Sequence, residues 1–252
     1  MTIRNTHKYI LLTLLFFTIA HYSPAQRLKL DTVYYNQSGE LTDKETGYLT
    51  FEVRQLDRKQ RIHGSTARYT KSGRMTESTS YIKGEKTGTY YRFNPAEEVM
   101  MYGDYENGIK KGFWVILDSN GIILTMEEYD NTGNLIGRRD RPYSEKIDGD
   151  TLKLDSEAEF IGGQGGWNLH LRKNLKYPTE AKRYGYQGDV YISFVVLSDG
   201  RIAAPRIVKS PHEILSKESL RMLEISPAWL PAMIGDKAVD SQMTLRIVFR
   251  LK

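Results

Sequence analysis

A period of 24 in the positions of tyrosine and glycine constrains the fold of the N-terminal half more than any other feature of the sequence. Tyr81, Tyr105 and Tyr129 are evenly spaced along the chain. Two series of glycines keep the same spacing, Gly84 with Gly108, and Gly64 with Gly88 and Gly112. A fixed period of this length is typical of repeat proteins, in which each unit buries its apolar face against its neighbours.

Each repeating unit is predicted to be a β-hairpin. The unit Tyr-x-x-Gly-x-x-x-Gly-x-aromatic runs from Tyr81 to Tyr90 and from Tyr105 to Trp114, with a third copy, Tyr129 to Gly137, one residue out of register. The runs Gly112 to Leu117 and Ile122 to Tyr129 flank Asn120-Gly121, a pattern typical of strand, tight turn and strand. Because one hairpin cannot bury its apolar face alone, we expect the hairpins to stack or to join edge to edge into one elongated sheet.

This pattern resembles the MORN repeat, in the variant found in YwqK-type antitoxin-like proteins, over roughly residues 60 to 137. We interpret residues 27 to 59, including Tyr34-Tyr35 and Gly39, as a divergent opening part of the array, which gives a repeat module of residues 26–137. The aromatic residues are expected to pack between hairpins and the glycines to occupy turns. A ligand surface made from exposed aromatic side chains is the alternative.

The N-terminal segment, residues 1–25, is predicted to be a secretory signal peptide. Arg4 and Lys8 precede an apolar run from Tyr9 to Ala20, and small residues follow at Ser23-Pro24-Ala25. This run is shorter than the roughly 20 residues that span a membrane. Cleavage would release the protein into the periplasm or cell envelope, and retention as an inner-membrane anchor is the alternative. Removal of residues 1–25 lowers the formal net charge from +5 to +3, which predicts no nucleic-acid partner.

The sequence shows no pattern that would make this chain an enzyme. It has no cysteine, which excludes disulfides and thiolate chemistry. His63, His170 and His212 have no metal-ligand spacing, and neither Gly-x-Ser-x-Gly nor HExxH occurs. Asp148-Gly-Asp150 is interpreted as a turn in a linker, residues 138–157, which loses the repeat and gains charge, proline and glycine. We therefore predict no catalytic residue, no cofactor and no metal.

Two short helices are predicted to follow this linker. The run Ile161 to Gly166 lacks the Lys-Ser/Thr ending of a phosphate-binding loop and is interpreted as a flexible lead-in to a helix. Trp167, Leu171 and Leu175 then recur at helical spacing. Tyr177-Pro178 begins the second helix, since proline suits a first turn, and Gly185 is placed to end it.

Three strands and a further helix complete the prediction. Val190, Ile192, Phe194 and Val196 alternate along a half-buried strand. Ser198-Asp199-Gly200 then turns the chain into a second strand, from Ile202 to Val208, in which Pro205 indicates a sheet edge. A helix is predicted to begin at the capping-box pattern Ser210 to Glu213, to carry Leu220 and Leu223 on one face and to stop at Pro227, and the run from Met243 to Leu251 alternates regularly as a third strand. We expect the order Pro205 strand, Val190 strand, Met243 strand. The fold class is an α+β domain, a three-stranded antiparallel sheet with two or three helices, preceded by an all-β hairpin-repeat module.

Several motifs, in this order, resemble the TonB C-terminal domain family over residues 158–252. They are Tyr177-Pro178-x-x-Ala181, Gly185-Tyr-Gln-Gly188-x-Val190, Phe194-Val-Val, Asp199-Gly200-Arg201-Ile202, Ser210, Trp229-x-Pro231 and the terminal Phe249-Arg-Leu251. The glycine-rich run and Lys176-Tyr-Pro resemble the energy-transducer version common in Bacteroidetes. That version usually has glycine where this chain has Ala232. Trp229 is expected to be a core residue.

The resemblance implies a partner-binding edge on the last strand. Domains of this family add the short Ton box of outer-membrane TonB-dependent transporters to their sheet as an extra strand. The receiving residues would be Met243, Thr244, Leu245, Arg246, Ile247, Val248, Phe249, Arg250 and Leu251. The outward side chains of Thr244, Arg246, Val248 and Arg250 would select the peptide. Pairing with a second copy as a homodimer, and a solubilising role for the two arginines, are the alternatives.

Two functional hypotheses follow from this organisation. In the first, the chain is a TonB-like component of outer-membrane transport, with inner-membrane proton-motor proteins as further partners if residues 1–25 are retained. In the second, it is a periplasmic scaffold or antitoxin-like binding protein that uses the repeat surface without energy transduction. Transducers of this family normally carry a membrane helix and a proline-rich segment, whereas this chain has a short apolar run and a repeat module.

Overall fold

The computed structural model describes residues 28–140 and 154–251. The predicted signal peptide and Asp148-Gly-Asp150 lie outside the described residues. The chain divides into two compact units. The first consists of the residues up to Gly121 together with Glu128–Gly137, and the second consists of Ile122–Glu127 together with the residues from Arg138 onward. None of the helices in the described ranges has the length and apolar character needed to cross a membrane.

Ten strands of the N-terminal half form one sheet, called here the repeat sheet. They are β1 (Lys29–Tyr35), β2 (Leu41–Thr42), β3 (Thr50–Leu56), β4 (Gly64–Thr70), β5 (Met75–Ile82), β6 (Glu85–Phe93), β7 (Val99–Glu106), β8 (Ile109–Leu117), β9 (Ile123–Tyr129) and β10 (Leu135–Asp140). Their order in space is β10-β9-β8-β7-β6-β5-β4-β3-β1-β2. The hairpins therefore join edge to edge, which is one of the two arrangements expected from the sequence, and the strands before residue 60 belong to the same sheet.

The turns of the repeat sheet share a side-chain hydrogen bond that repeats with the same period. Asn94 Oδ1 accepts the backbone N–H groups of Ala96 and Glu98 at 2.9 and 3.0 Å. Asp118 Oδ1 accepts the N–H of Asn120 at 2.8 Å, and Thr70 Oγ1 that of Arg74 at 3.1 Å. Thr70, Asn94 and Asp118 have the same spacing along the chain as the repeated tyrosines. Short polar side chains that bond the backbone two to four residues ahead favour turns over continued strands.

Aromatic side chains pack across neighbouring hairpins. The ring centroids of Tyr90 and Trp114 are 5.5 Å apart, those of Tyr105 and Trp114 4.9 Å, and those of Trp114 and Tyr129 6.4 Å. Lys110 Nζ lies 4.3 Å from the Trp114 ring centroid and donates a hydrogen bond to the Tyr129 hydroxyl at 3.0 Å. These contacts support the structural interpretation of the repeated aromatics, because aromatic pairs and cation–π contacts between neighbouring strands stabilise a sheet.

Gly103 lies directly beneath the Trp114 ring. A Cβ atom at Gly103 would overlap the ring, whereas one at Gly137 in β10 would meet only Glu128, at 3.6 Å. Neither glycine has a positive φ, so backbone strain does not separate them. We therefore expect Gly103→Ala to lower the free energy of unfolding by about 1–3 kcal/mol through overpacking, and Gly137→Ala to leave it within about 0.5 kcal/mol. Urea unfolding of the full chain measures both, and equal effects would contradict the prediction.

The described residues 154–251, which belong to the second unit, are called here the C-terminal domain. Its helices are α1 (Gly163–Asn174), α2 (Thr179–Tyr184) and α3 (Glu213–Glu224), and its strands are β11 (Gly188–Val196), β12 (Ile202–Lys209), β13 (Ala232–Ile234), β14 (Lys237–Val239) and β15 (Ser241–Phe249). The main sheet has the antiparallel order β12-β11-β15, and β13 pairs with β14. This confirms the predicted α+β fold with a three-stranded sheet.

The ends of the predicted linker belong to regular structure. Strand β10 continues through Asp140, beyond the predicted start of the linker at residue 138. At the other end, the Asp155 N–H donates to the Met233 carbonyl at 2.9 Å, and the Glu159 N–H to the Leu230 carbonyl at 3.0 Å. The segment from residue 154 therefore lies along the chain between Leu230 and Met233. This pairing joins distant parts of the sequence, and no local pattern indicated it.

Two helix starts differ from their predicted form. Helix α1 begins at Gly163, so most of the glycine run forms its first turn. Gly166 in that turn has no room for a side chain, because a Cβ would overlap the Ile161 carbonyl. Helix α3 is capped by His212, whose Nδ1 accepts the Ile214 N–H at 3.2 Å. The capping box predicted from Ser210 was wrong by two residues, since an imidazole nitrogen replaces the usual hydroxyl.

The C-terminal core lies between the helices and one face of the three-stranded sheet. The buried cluster includes Ala181 of α2, Phe194 of β11, Leu215 of α3, and Ile247 and Phe249 of β15. Trp229 is 4% exposed, and its indole ring contacts the rings of Phe160, Trp167 and Phe194 at centroid distances of 5.5, 5.9 and 5.2 Å. Burial of Trp229 agrees with its predicted role as a core residue.

Candidate functional site

The three-stranded sheet has two edge strands, and they differ in their ability to accept another strand. Strand β12 carries Pro205, which has no N–H to donate. Ala204 beside it has a positive φ of 51°, and the register with β11 shifts between Ser193 and Val195. A proline and a β-bulge both interrupt a hydrogen-bonding ladder, so β12 is a poor template for a further strand.

Strand β15 forms an uninterrupted ladder with β11. The register runs without a shift from Gly188 opposite Phe249 to Val196 opposite Ser241. Within the described part of the chain, β11 is the one strand that pairs with β15. Because backbone N–H and C=O groups in an antiparallel pair point alternately to the two sides of a strand, every second residue of β15 directs its backbone N–H and C=O groups away from β11.

The side chains of β15 alternate as the sequence predicted. Ile247 and Phe249 are fully buried against the helices, and Met243 and Leu245 are partly buried there. The side chains of Thr244, Arg246 and Val248 are exposed, Val248 to 40%. Strand β15 ends at Phe249, so Arg250 and Leu251, which the sequence placed in the receiving strand, follow it. The burial of one face fixes the register of the strand and leaves the other face available.

Arg246 and Arg250 share a single carboxylate. Arg250 Nη2 lies 2.9 Å from Asp189 Oδ1, and Arg246 Nη1 lies 3.6 Å from Asp189 Oδ2. Both arginine side chains are 58% exposed. Asp189 stands opposite Val248 in the ladder, between the two arginines. Sequence reasoning found the arginines from the alternation of β15 but missed Asp189, whose proximity depends on the register between two strands that are far apart in the chain.

The end of β15 is held by two contacts from residues that precede β11. The Leu251 N–H donates to Gln187 Oε1 at 3.3 Å. The Phe249 ring packs edge to face on Tyr177 at 5.6 Å, and the Tyr177 hydroxyl donates to the Tyr186 carbonyl at 2.6 Å. These contacts explain how residues of the Tyr177-Pro178 and Gly185–Gly188 motifs support the edge, although none of them lies on it.

Helices α1 and α3 are joined by hydrogen bonds that stabilise the layer behind the sheet. Glu218 is 9% exposed and accepts the Lys176 N–H at 2.6 Å and Arg221 Nη2 at 2.7 Å. Arg221 Nη2 also donates to the carbonyl of Asn174, at the end of α1, at 2.7 Å. Burial alone would raise the pKa of Glu218, but the hydrogen bonds from Arg221 and Lys176 outweigh it and hold the pKa below its ordinary value.

The three histidines of the described chain have structural contacts. His63 Nδ1 accepts the Lys83 N–H at 3.3 Å, His170 Nε2 lies 3.1 Å from the Met222 carbonyl, and His212 caps α3. Among residues 28–140 and 154–251, no group of three or more histidine, aspartate or glutamate side chains is placed to hold a metal ion.

Comparison with known proteins bears on the C-terminal domain. No curated protein matches the chain. A family model matches the chain, from the end of α1 to the second residue after β15. The match does not reach the repeat sheet, so the resemblance of that sheet to MORN repeats stays a prediction. TonB C-terminal domains interact with outer-membrane transporters. Residues 173–251 match the family model for the Gram-negative bacterial TonB protein C-terminal, and this match supports a TonB-like role in the cell envelope for the C-terminal domain.

Proposed function

We propose that the protein binds the Ton box peptide of outer-membrane TonB-dependent transporters by strand addition to the outer side of β15. The receiving segment is Met243 to Leu251, of which residues up to Phe249 are in the strand. The chain would act in the periplasm as a non-enzymatic component of transport. Inner-membrane proton-motor partners belong to the proposal only if residues 1–25 remain attached.

The observation that carries the proposal is the contrast between the two edges of one small sheet. Strand β12 is interrupted by Pro205 and a bulge, whereas β15 is regular along its whole length. Proteins normally protect a long regular edge, because its unpaired backbone groups attract other strands. A long regular edge on a domain that matches a peptide-binding family supports a recognition role for that edge.

The physics of strand addition defines what each part of the site contributes. Backbone hydrogen bonds, each contributing about 0.5–1.5 kcal/mol, supply affinity that does not depend on the peptide sequence. Selection comes from the side chains beside the incoming strand, here Thr244, Arg246 and Val248. The rigid β11 ladder and the buried side chains of Ile247 and Phe249 hold the edge in place before the peptide arrives, which lowers the entropic cost of binding.

The test is an NMR titration of the isotope-labelled full chain with synthetic Ton-box peptides from transporters of the same organism. Shifts of the backbone amides are expected at β15 and its neighbour β11. A series of peptides methylated at one backbone nitrogen at a time then reports the geometry. Since every second peptide N–H faces β15, affinity should fall about 2- to 10-fold at alternate positions and remain unchanged between them.

Three other outcomes would overturn the proposal. The absence of shifts at millimolar peptide would remove β15 as a peptide site. Shifts confined to the repeat sheet would favour the scaffold hypothesis, in which the aromatic face of that sheet binds the ligand. Amide shifts of β15 that depend on protein concentration alone, without peptide, would indicate that the edge pairs with a second copy.

A further inference from the structure

We infer that the peptide bound at β15 carries an acidic side chain opposite Val248, where Arg246 and Arg250 bridge it from both sides. This inference rests on the proposed function and specifies the partner of the same site. It assigns Arg246 and Arg250 as specificity-determining residues.

On the β11 side of β15, one carboxylate already lies between the two arginines. Val248 has Asp189 as its cross-strand neighbour, and the Asp189 carboxylate lies 2.9 Å from Arg250 and 3.6 Å from Arg246. Because side chains at positions i−2, i and i+2 of a strand share one face, the two arginines flank Val248 along β15. A carboxylate opposite Val248 is therefore within reach of both guanidinium groups.

A peptide added as an antiparallel strand would pair with the outer side of β15 in the way that β11 pairs with its inner side. Cross-strand neighbours in an antiparallel pair have their Cβ atoms about 4.5–5.5 Å apart, and diagonal neighbours remain within reach of long side chains. The peptide residue opposite Val248 thus occupies a position related to that of Asp189 by reflection across β15. Both arginine side chains are 58% exposed, so they have room to turn towards this residue.

The local charge favours an acid in that position over a neutral or basic residue. Two guanidinium groups share one carboxylate, which leaves the cluster of Asp189, Arg246 and Arg250 with an excess of one positive charge. Lys209 of β12 adds a further cation, since it stands opposite Tyr191 of β11, and Tyr191 stands opposite Arg246. A peptide carboxylate between the arginines would bring the cluster of Asp189, Arg246 and Arg250 to neutrality. A lysine there would add a third like charge.

The size of the effect follows from the exposure of the arginines. Exposed ion pairs contribute little individually, but two of them converge here on one carboxylate. We expect a peptide with glutamate opposite Val248 to bind about 3- to 10-fold more tightly than the same peptide with glutamine. The difference should shrink at high salt, because exposed pairs are screened.

The experiment moves one glutamate through an otherwise uncharged Ton-box peptide, with glutamine at the other scanned positions. Affinity for the full chain is measured at each position by calorimetry. A gain is expected at one position, and amide shifts locate that residue against Val248. In the double variant Arg246→Gln, Arg250→Gln the ratio of the affinities for the glutamate and glutamine peptides should fall to about 1, whatever happens to the affinity of the uncharged peptide itself. Arg201→Gln, which removes an arginine paired with Asp199 in a turn, should keep the gain.

The result separates this inference from the proposed function. Uncharged and acidic peptides that both bind along β15 with equal affinity would leave strand addition intact and overturn the acid preference. The two arginines would then act only to keep an exposed edge soluble. Failure of every peptide to bind at β15 would overturn the proposed function, and the inference with it. A gain that persists in the double arginine variant would also overturn the assignment of these residues.

Discussion

Replacing Trp229 by alanine is expected to lower the free energy of unfolding of the C-terminal domain by about 3–5 kcal/mol. The indole ring is 4% exposed and contacts three aromatic rings, those of Phe160, Trp167 and Phe194. Its Nε1 donates to Ser226 Oγ at 3.2 Å. Alanine would leave a cavity among rings that come from α1, β11 and the segment before α1, and these cannot all move inward together.

The measurement is hydrogen exchange of the full chain combined with urea unfolding. The backbone amides of β11 and β15 should lose protection in Trp229→Ala, and those of the repeat sheet should keep it. Leu230→Ala is the matched control, because Leu230 is the next residue and its side chain is 47% exposed. An effect of Trp229→Ala no larger than that of the control would show that the aromatic cluster does not hold the domain together.

Local sequence patterns were sufficient to predict most strands and helices. Alternation predicted β11 and β15 because burial of one sheet face requires apolar residues at every second position. Gly185 marked the end of α2, where it adopts a left-handed φ of 72°. The regular spacing of tyrosines and glycines predicted hairpins that stack or join edge to edge, and the strand order shows that they join into one sheet. In each case the pattern lies within one element or between adjacent ones.

Features that depend on distant residues were not predicted. The beginning of the segment from Asp155 to Phe160 was assigned to a linker, yet the backbone of this segment pairs with Leu230 and Met233, which lie beyond α3 in the chain. At the candidate site, Pro205 and the regularity of the last run indicated which edge is open. Asp189 was missed, because its contact with Arg246 and Arg250 exists only in the folded ladder. Charged neighbours across strands have no signature in a single sequence.

A second large effect on stability is expected from Glu218→Ala, which removes the carboxylate that ties α3 to the end of α1. Glu218 is 9% exposed and accepts hydrogen bonds from the Lys176 N–H, from Arg221 Nε at 2.8 Å and from Arg221 Nη2 at 2.7 Å. Its loss leaves the Lys176 N–H without its acceptor and removes two hydrogen bonds of Arg221, which keeps its bond to the Asn174 carbonyl. Because the Arg221 side chain is 33% exposed, we expect the free energy of unfolding to fall by about 1.5–3 kcal/mol, the usual contribution of hydrogen bonds to a charged group.

Glu224→Ala is the matched control for this substitution. Glu224 is the last residue of the same helix, and its side chain is exposed. Its removal deletes one negative charge from α3, as Glu218→Ala does, without unpairing a buried group. We expect an effect within about 0.5 kcal/mol. If both variants lose stability equally in urea unfolding at neutral pH, the net charge of α3 and not the Glu218 contacts would be responsible.

The pH dependence gives an independent test of the same contacts. The pKa of Glu218 in the folded protein is lowered from its ordinary value of 4.5, since hydrogen bonds from Arg221 and Lys176 outweigh the opposing effect of burial. A carboxyl group with a lowered pKa binds fewer protons in the folded state than in the unfolded state, so it stabilises the protein above its unfolded pKa. That stabilisation is lost as the pH falls from 4.5 through the lowered folded value.

Glu218→Gln isolates this contribution, because glutamine keeps the shape of the side chain and one acceptor but cannot be ionised. Wild type is expected to be more stable than Glu218→Gln at neutral pH, and the difference between them should shrink as the pH falls below 4.5. Urea unfolding at a series of pH values measures this difference. A difference that stays constant into acid would mean that the ionised carboxylate is not what joins α3 to α1, and the stability of the layer behind β15 would then depend on shape alone.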